Sequence, residues 1–181
     1  MRRGFKTEAR QIGEQIRDEL GLNQLQALDP WRLADHLDIP VLPLTHLADD
    51  APDCVAALTG PEQGAFSALV GFVDRKRIIV HNDAHALTRQ RADICHEIAH
   101  VLLIHDPQLA APGERLEYDQ DQEDEAGWLG AVLLVPDPAC LHACRNGDLV
   151  PTAARRMGVS VALMQWRINK SGARARVARA R

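Results

Sequence analysis

A chain of 181 residues, 46% hydrophobic and 25% charged with a formal net charge of −4, is expected to form one domain with room for a small appendage. No run approaches the ~18 apolar residues of a membrane-spanning helix, and residues 1–8 have no apolar stretch behind them, which argues against a secretion signal. Four scattered cysteines lack the spacing of a disulfide framework, so we expect a cytoplasmic protein with no membrane partner.

The first third of the chain predicts two helices and an extended segment. Apolar residues at spacing four predict an amphipathic helix over residues 8–20. A short helix is expected over residues 30–37, with Asp29 as its N-cap and Pro30 in its first turn. Residues 39–44 are predicted to be extended, and their two prolines fit only an edge strand.

The middle of the chain predicts a loop and a hairpin. Acids, prolines and a glycine over residues 48–63 indicate a loop or lid. Residues 66–73 and 77–81 flank Asp74-Arg75-Lys76 and predict a β-hairpin. A helix follows, and after it an acidic loop over residues 106–124.

That helix contains the most informative pattern, His96-Glu97-Ile98-Ala99-His100. Residues four apart lie one helical turn apart, so the two imidazoles could bind one metal ion while Glu97 acts on water. Thr88 is expected to be the N-cap, and an apolar stripe predicts that the helix is largely buried. Buried His and Glu side chains are costly unless something satisfies them, and a metal ion would do so. The alternative is a pair of core histidines bonded to backbone carbonyl groups.

A zinc site of this kind needs a third protein ligand. The next helix, predicted over residues 123–135 and closed by Pro136, has acids in its first turn, where the helix dipole favours them. Beyond them the helix is almost wholly apolar and should pack in the core, which would hold a carboxylate close to the motif helix. Spacing alone does not separate the three candidates, Glu123, Asp124 and Glu125.

These segments resemble the ImmA/IrrE family of bacterial and phage metallopeptidases. The family typically has HELGHLLLH and then EAN-x-FAA-x-LLMP, to which residues 96–105 and 125–136 are similar. Residues 77–82 with Arg91 resemble its strand-Asn-loop-Arg segment, and residues 153–167 resemble its LA-x-x-F-x-VS-x-x-AL-x-x-RL segment. The likeness runs from about residue 39 to residue 169.

The resemblance implies that His96 and His100 are metal ligands, that Glu97 is the general base, and that Glu125 is the third ligand. It implies Zn²⁺ as the metal, with Mn²⁺ as a possibility. The chain departs from the family's pattern at several positions without losing a ligand: Cys95, Ala99, Gly127, Leu129 and Gly130. We expect these departures to affect substrate fit more than the metal site.

The expected fold is a small zincin-like α+β domain over residues 1–150, with helices packed on a short, mostly antiparallel sheet. Residues 151–181 would form a helical appendage shaped like a helix-turn-helix, with a basic tail. Residues 149–181 hold eight Lys/Arg and no acids. Residues 172–181 form the tail, which is expected to be disordered or a frayed helix. The tail could contact nucleic acid or be a solvated helix end. The helix-turn-helix shape before it is expected to serve packing rather than DNA binding.

Three further groups are weaker candidates. Cys140, His142 and Cys144 could be metal ligands but fall short of a closed tetrahedral site, so buried thiols and a surface histidine are favoured. His105 could reach the site, although a structural hydrogen bond is favoured. Tyr118 could stabilise an oxyanion.

The sequence therefore predicts a cytoplasmic zinc-dependent endopeptidase. The resemblance implies that its substrate is a helix-turn-helix transcriptional repressor, cleaved to switch on stress or mobile-element genes. The alternatives are a non-proteolytic regulatory module that binds a transcription factor and a toxin–antitoxin component. An intact Glu97 argues against the regulatory module, because a structural metal site needs no base.

Overall fold

The computed structural model describes residues 1–60, 66–105 and 119–180. In chain order the described elements are α1 (Phe5–Glu19), α2 (Pro30–His36), β1 (Val41–Pro43), a 3-10 turn (Leu44–Leu47), α3 (Pro52–Thr59), β2 (Ala68–Val73), β3 (Lys76–His81), α4 (Leu87–Leu102), α5 (Gln120–Leu134), α6 (Asp137–Asn146), α7 (Val150–Met157), α8 (Val161–Lys170) and α9 (Ala173–Arg179). Helices thus pack with a small sheet, which confirms the expected α+β fold.

The three described strands form one sheet in the order β1-β3-β2. The hairpin β2–β3 is antiparallel and pairs Ala68 with His81, whereas β1 pairs with β3 in parallel, so the sheet is mixed. Asp74 and Arg75 have φ of 48° and 72°, the left-handed values that a two-residue hairpin turn requires at both positions. Strand β2 is therefore an edge of the described sheet and lies beside α4.

The two helices α4 and α5 form the centre of the core. Ile94 and Ile98 of α4 and Leu129 and Leu133 of α5 are fully buried in one hydrophobic cluster. Gly130 marks their closest approach, because a Cβ atom there would lie 3.0 Å from the backbone oxygen of Cys95. Glycine at this position lets the two backbones approach closely, and this places the first turn of α5 beside the motif.

Two buried arginines hold the carboxyl end of α5. Arg17 of α1 donates to the carbonyl oxygen of Leu133 at 2.9 Å, and Arg167 of α8 donates to that of Val135 at 2.8 Å. The last carbonyl groups of a helix lack partners within it, and a cation is favoured at the negative end of the dipole. Helices α1 and α8 are thereby fixed to α5.

Several sequence expectations are corrected. Residues 48–63 are not all loop: α3 forms at Pro52–Thr59, because Val55 packs against a small apolar cluster around Leu44 and Val80. Thr88 is not the N-cap of α4, which begins at Leu87 after Ala86.

Two further expectations, the start of α5 and the state of the tail, also differ from the structure. Helix α5 begins three residues earlier than predicted, because the side chain of Asp119 caps it by accepting from the backbone of Asp121 and Gln122. The tail forms α9, which packs on α6 and α8. The division at residue 150 stays a prediction.

Over residues 1–60, 66–105 and 119–180, no single helix is long and apolar enough to cross a membrane. Two consecutive helices, α5 (Gln120–Leu134) and α6 (Asp137–Asn146), are together long and apolar enough for a membrane span, but they are bent by 53° relative to each other.

Candidate metal centre

Helix α4 places the two motif histidines on one face, as their spacing predicts. The Nε2 atoms of His96 and His100 lie 3.0 Å apart, and the two rings meet edge to face with their centroids 4.7 Å apart. The His96 side chain is 30% exposed and that of His100 is 14% exposed. The pair is therefore partly accessible to solvent and partly buried against the core.

Glu123 in the first turn of α5 brings a carboxylate to this pair. Its two oxygens lie 3.1 Å from His96 Nε2 and 3.4 Å from His100 Nε2. Of the described residues, only these three form a cluster with the spacing of metal ligands, and one donor atom of each lies within 4.8 Å of the others. The geometry thus assembles two imidazoles and one carboxylate from two packed helices.

Glu125 does not join them. Its buried carboxylate accepts the backbone N–H of Arg2 at 2.8 Å and lies 3.3 Å from Nε of the Arg2 guanidinium group. Residues two apart on an α-helix point about 200° apart, so a helix that turns Glu123 toward the histidines turns Glu125 away. Glu123 rather than Glu125 lies beside the histidines in this structure, which makes Glu123 the geometry's candidate for the third ligand; the ligand role that the resemblance implied for Glu125 stays a prediction.

Glu97 lies next to this cluster but in a drier environment. Burial raises the pKa of its carboxyl to about 7, and the charges of Glu123 and Asp93 add to that rise, while a hydrogen bond from the backbone N–H of Val70 opposes it. Val70 belongs to the edge strand β2. A carboxyl that titrates near neutral pH is suited to accept and return a proton.

The donor set fits a divalent metal such as zinc. Burial lowers the pKa of His100 to about 4, so this imidazole is neutral at pH 7 and one ring nitrogen carries a free lone pair. Two nitrogens bound to one tetrahedral zinc at about 2.05 Å would lie roughly 3.3 Å apart. The observed separation of 3.0 Å between the His96 and His100 Nε2 atoms is close to that value.

His105 contacts the other nitrogen of His100. Their Nδ1 atoms lie 3.0 Å apart, and burial lowers the pKa of His105 below its usual range. A proton on His100 Nδ1 would bond to His105 and leave His100 Nε2 free to bind a metal ion, which is the usual arrangement behind a metal-bound histidine. His105 thus reaches the site through His100.

The other sequence candidates lie away from the cluster. Cys140 is buried and Cys144 partly exposed on α6, both as free thiols, while His142 accepts a hydrogen bond from Asn146. Tyr118 and most of the acidic loop over residues 106–124 lie outside the described residues.

The two upstream residues singled out by the resemblance are structural. The Asn82 side chain donates to the carbonyl oxygens of Leu58 and Phe66 at 2.9 and 3.1 Å and so ties the end of β3 to α3. Arg91 donates to the carbonyl oxygen of Leu28 and packs its guanidinium group against Gly158. This contact anchors α4 to the turn between α7 and α8.

Sequence analysis missed Asp93, which lies one turn before the motif on α4. Its carboxylate lies 3.5 Å from His85 Nδ1 and 3.7 Å from Arg89 Nε, and burial raises its pKa. The i, i+4 spacing between Asp93 and Glu97 was the available signal. The charge of Asp93 also contributes to the raised pKa of Glu97, the candidate general base.

No curated protein and no solved structure matches this chain. The profile of the Peptidase_M78 family, described as the IrrE N-terminal-like domain, matches residues 62–169. The match covers more than half of the chain and includes β2, β3, both helices of the metal centre and α6 to α8. This chain therefore belongs to the IrrE N-terminal-like family of peptidases, as its resemblance to ImmA/IrrE proteins predicted.

Proposed function

We propose that this protein is a zinc-dependent endopeptidase in which His96, His100 and Glu123 hold the metal and Glu97 is the general base. The observation that carries the proposal is the convergence of the three donors within 4.8 Å beside a carboxyl whose pKa is raised to about 7. Three protein ligands leave a fourth position for water or substrate, as a catalytic zinc site requires. When bound, zinc acts as a Lewis acid that polarises a carbonyl group and lowers the pKa of water.

The protein's own residues would then perform the proton transfers. Glu97 accepts a proton from the attacking water and returns it to the leaving amine, and a pKa near 7 suits both steps. His105 holds the proton of His100 on Nδ1 and so fixes the tautomer that binds metal. The edge strand β2, which contacts α4, could add an extended substrate as a further strand.

For the substrate, we propose a helix-turn-helix transcriptional repressor in the cytoplasm. This choice is supported by the likeness to ImmA/IrrE peptidases. Cleavage would relieve repression of stress or mobile-element genes.

Substitution of the base tests the proposal. Zinc-loaded protein and its Glu97→Gln variant are incubated with candidate helix-turn-helix repressors from the same organism, and fragments are identified by mass spectrometry. Cleavage should fall at least ~100-fold in the variant with its zinc content unchanged, because general-base catalysis contributes that much or more. If Glu97→Gln still relieves repression fully in cells, the protein acts instead as a regulatory module that binds a transcription factor.

A further inference from the structure

A groove lined by two tryptophans runs away from the metal centre between α1, α5 and α8. We call it the Trp groove; its volume is about 460 Å³. The residues that define it are Glu123 and Gly127 at the metal end, Trp128 and Trp166 along its length, and Lys6 and Lys170 farther along.

The groove is continuous with the metal centre. Glu123 is both its end wall and the carboxylate that contacts His96 and His100. Gly127, one turn later on α5, also lies close to the site, since a Cβ atom at this position would make an ordinary contact with His96 Nδ1 at 4.0 Å. A polypeptide bound across the metal centre can therefore extend into the groove.

The walls offer aromatic surface. The Trp128 and Trp166 rings meet edge to face with their centroids 5.4 Å apart, and Trp166 remains 36% exposed. Tryptophans in a partly open groove provide a large contact area for an apolar side chain.

The far part of the groove is positively charged. Lys6 Nζ lies 4.4 Å from the centroid of Trp128, and Lys170 Nζ lies 5.9 Å from that of Trp166. Neither ammonium group forms an ion pair with an acid in the part of the chain that the structure describes. Two lysines held over indole rings without a carboxylate partner are available to an acidic ligand.

The charge continues into an adjoining cavity shared by Lys6, Trp128 and Lys170, where Arg10 and Asp137 also line the wall. Asp137 is the acid of that cavity, and it lies 3.7 Å from Arg10 and 2.6 Å from the buried Arg167. Its single negative charge is shared between two guanidinium groups, so the cavity keeps a net positive charge.

We propose that the Trp groove binds an acidic segment of the protein substrate, with a bulky apolar side chain against the tryptophans and carboxylates beside Lys6 and Lys170. This inference rests on the proposed peptidase function, because it takes the ligand to be the polypeptide that crosses the metal centre. Stacking tryptophans and cations would also suit a single-stranded nucleic acid. Glu123 and Asp124 at the metal end would repel its phosphates, so a polypeptide with separated charges fits better.

The test measures binding rather than cleavage. The full zinc-loaded chain with Glu97→Gln, which leaves the peptide intact, is titrated into a fluorescein-labelled ten-residue peptide of leucine and glutamate, and binding is followed by fluorescence anisotropy. The counterpart probe replaces each glutamate with lysine. The acidic peptide should bind more tightly, and the double change Lys6→Glu, Lys170→Glu should weaken it about tenfold or more and reverse the preference, because like charges repel across an interface.

Two further variants separate specific effects from general ones. Arg155→Glu changes an exposed cation on α7 outside the groove and should alter affinity less than about twofold, as expected for a distant charge screened by salt. Trp166→Ala should weaken both peptides, because it removes apolar contact without changing charge. Circular dichroism of each variant confirms that it is folded.

Equal affinity for the acidic peptide before and after the charge reversal would overturn the inference. So would tighter binding of a ten-nucleotide oligothymidylate than of the acidic peptide, which would assign the groove to nucleic acid. Failure of the proposed function has a different signature: the unsubstituted chain would cleave no repressor, while the peptide titration would be unaffected.

Discussion

Glu123 and Glu125 lie two positions apart on α5 and have opposite surroundings. Glu123 has oxygens 3.1 and 3.4 Å from the imidazoles of α4, whereas Glu125 is buried against Arg2. We therefore propose the role of a metal ligand for Glu123 and that of an anchor for the N-terminal segment for Glu125.

Alanine substitutions distinguish the two roles. Glu123→Ala should lower zinc affinity by roughly 100-fold, since even residues behind the ligands contribute 10–100-fold. Glu125→Ala should change zinc affinity less than tenfold but lower the free energy of unfolding by about 1–3 kcal/mol, because the N–H group and guanidinium of Arg2 lose their acceptor. Zinc titration and urea denaturation measure the two quantities. The opposite ranking in zinc affinity would return the ligand role to Glu125.

His105 affects the metal only through His100. His105→Phe preserves a ring but removes the partner of His100 Nδ1, so we expect zinc affinity to fall 10–100-fold. The matched control is His142→Phe on α6, where the histidine contacts Asn146 and no metal-ligand candidate. Competition with a zinc chelator gives both affinities. Equal affinity in the two variants would show that the contact between His105 and His100 does not support the metal.

At the scale of elements, the metal centre depends on how closely α5 packs on α4. Gly130 removes the side chain at the contact, and Glu123 lies two turns earlier on the same helix. A small displacement of α5 would therefore move the carboxylate away from both histidines.

Gly130→Ala tests this dependence. The added methyl group would lie 3.0 Å from the backbone oxygen of Cys95, and overpacking of this kind costs typically 1–3 kcal/mol, more than alanine's gain of about 1 kcal/mol in helix propensity. We expect a less stable protein with weaker zinc binding. Gly127→Ala, one turn earlier, meets only an ordinary contact at 4.0 Å and should be neutral or stabilising. Thermal unfolding with and without zinc compares them; similar losses in both variants would contradict the argument.

The elements that the sequence predicts well are those with strong local signals. Periodicity correctly placed three of them: the helix that carries His96-Glu97-Ile98-Ala99-His100, the apolar run of α5, and the two strands that flank the turn at Asp74-Arg75. Helix α3 was missed because its stability comes from Val55 against residues distant in sequence. The choice between Glu123 and Glu125 was beyond sequence reasoning because it depends on the rotational phase of α5, which tertiary packing at Gly130 sets.

For the whole molecule, folding brings together charges that the sequence keeps apart. Residues 149–181 carry eight cations and no acid, and folding places Lys170 in the wall of one cavity with Lys6 and Arg10 of α1. The acids that balance them overall include Glu123 and Asp124 at the opposite end of the Trp groove. The fold thus converts an uneven distribution along the chain into a groove with a negative end at the metal centre and a positive end away from it.

The raised pKa of Glu97 also affects the stability of the whole molecule. Its carboxyl titrates at about 7 in the fold and at 4.5 in an unfolded chain, so the folded state binds the proton more tightly. Relative to Glu97→Gln, the metal-free protein should therefore be most stable below pH 4.5 and lose up to about 3 kcal/mol of its free energy of unfolding as the pH rises to 7. Urea denaturation of both proteins in chelator, across this range, measures the difference. Glu14→Gln, which changes an exposed acid of α1, should shift stability by less than about 0.5 kcal/mol throughout. The prediction would be contradicted if the free energies of unfolding of the protein and of Glu97→Gln differed by the same amount at every pH. The Glu97 carboxylate would then be solvated in the metal-free fold. Its suitability as a base near neutral pH would have to come from the bound metal rather than from burial.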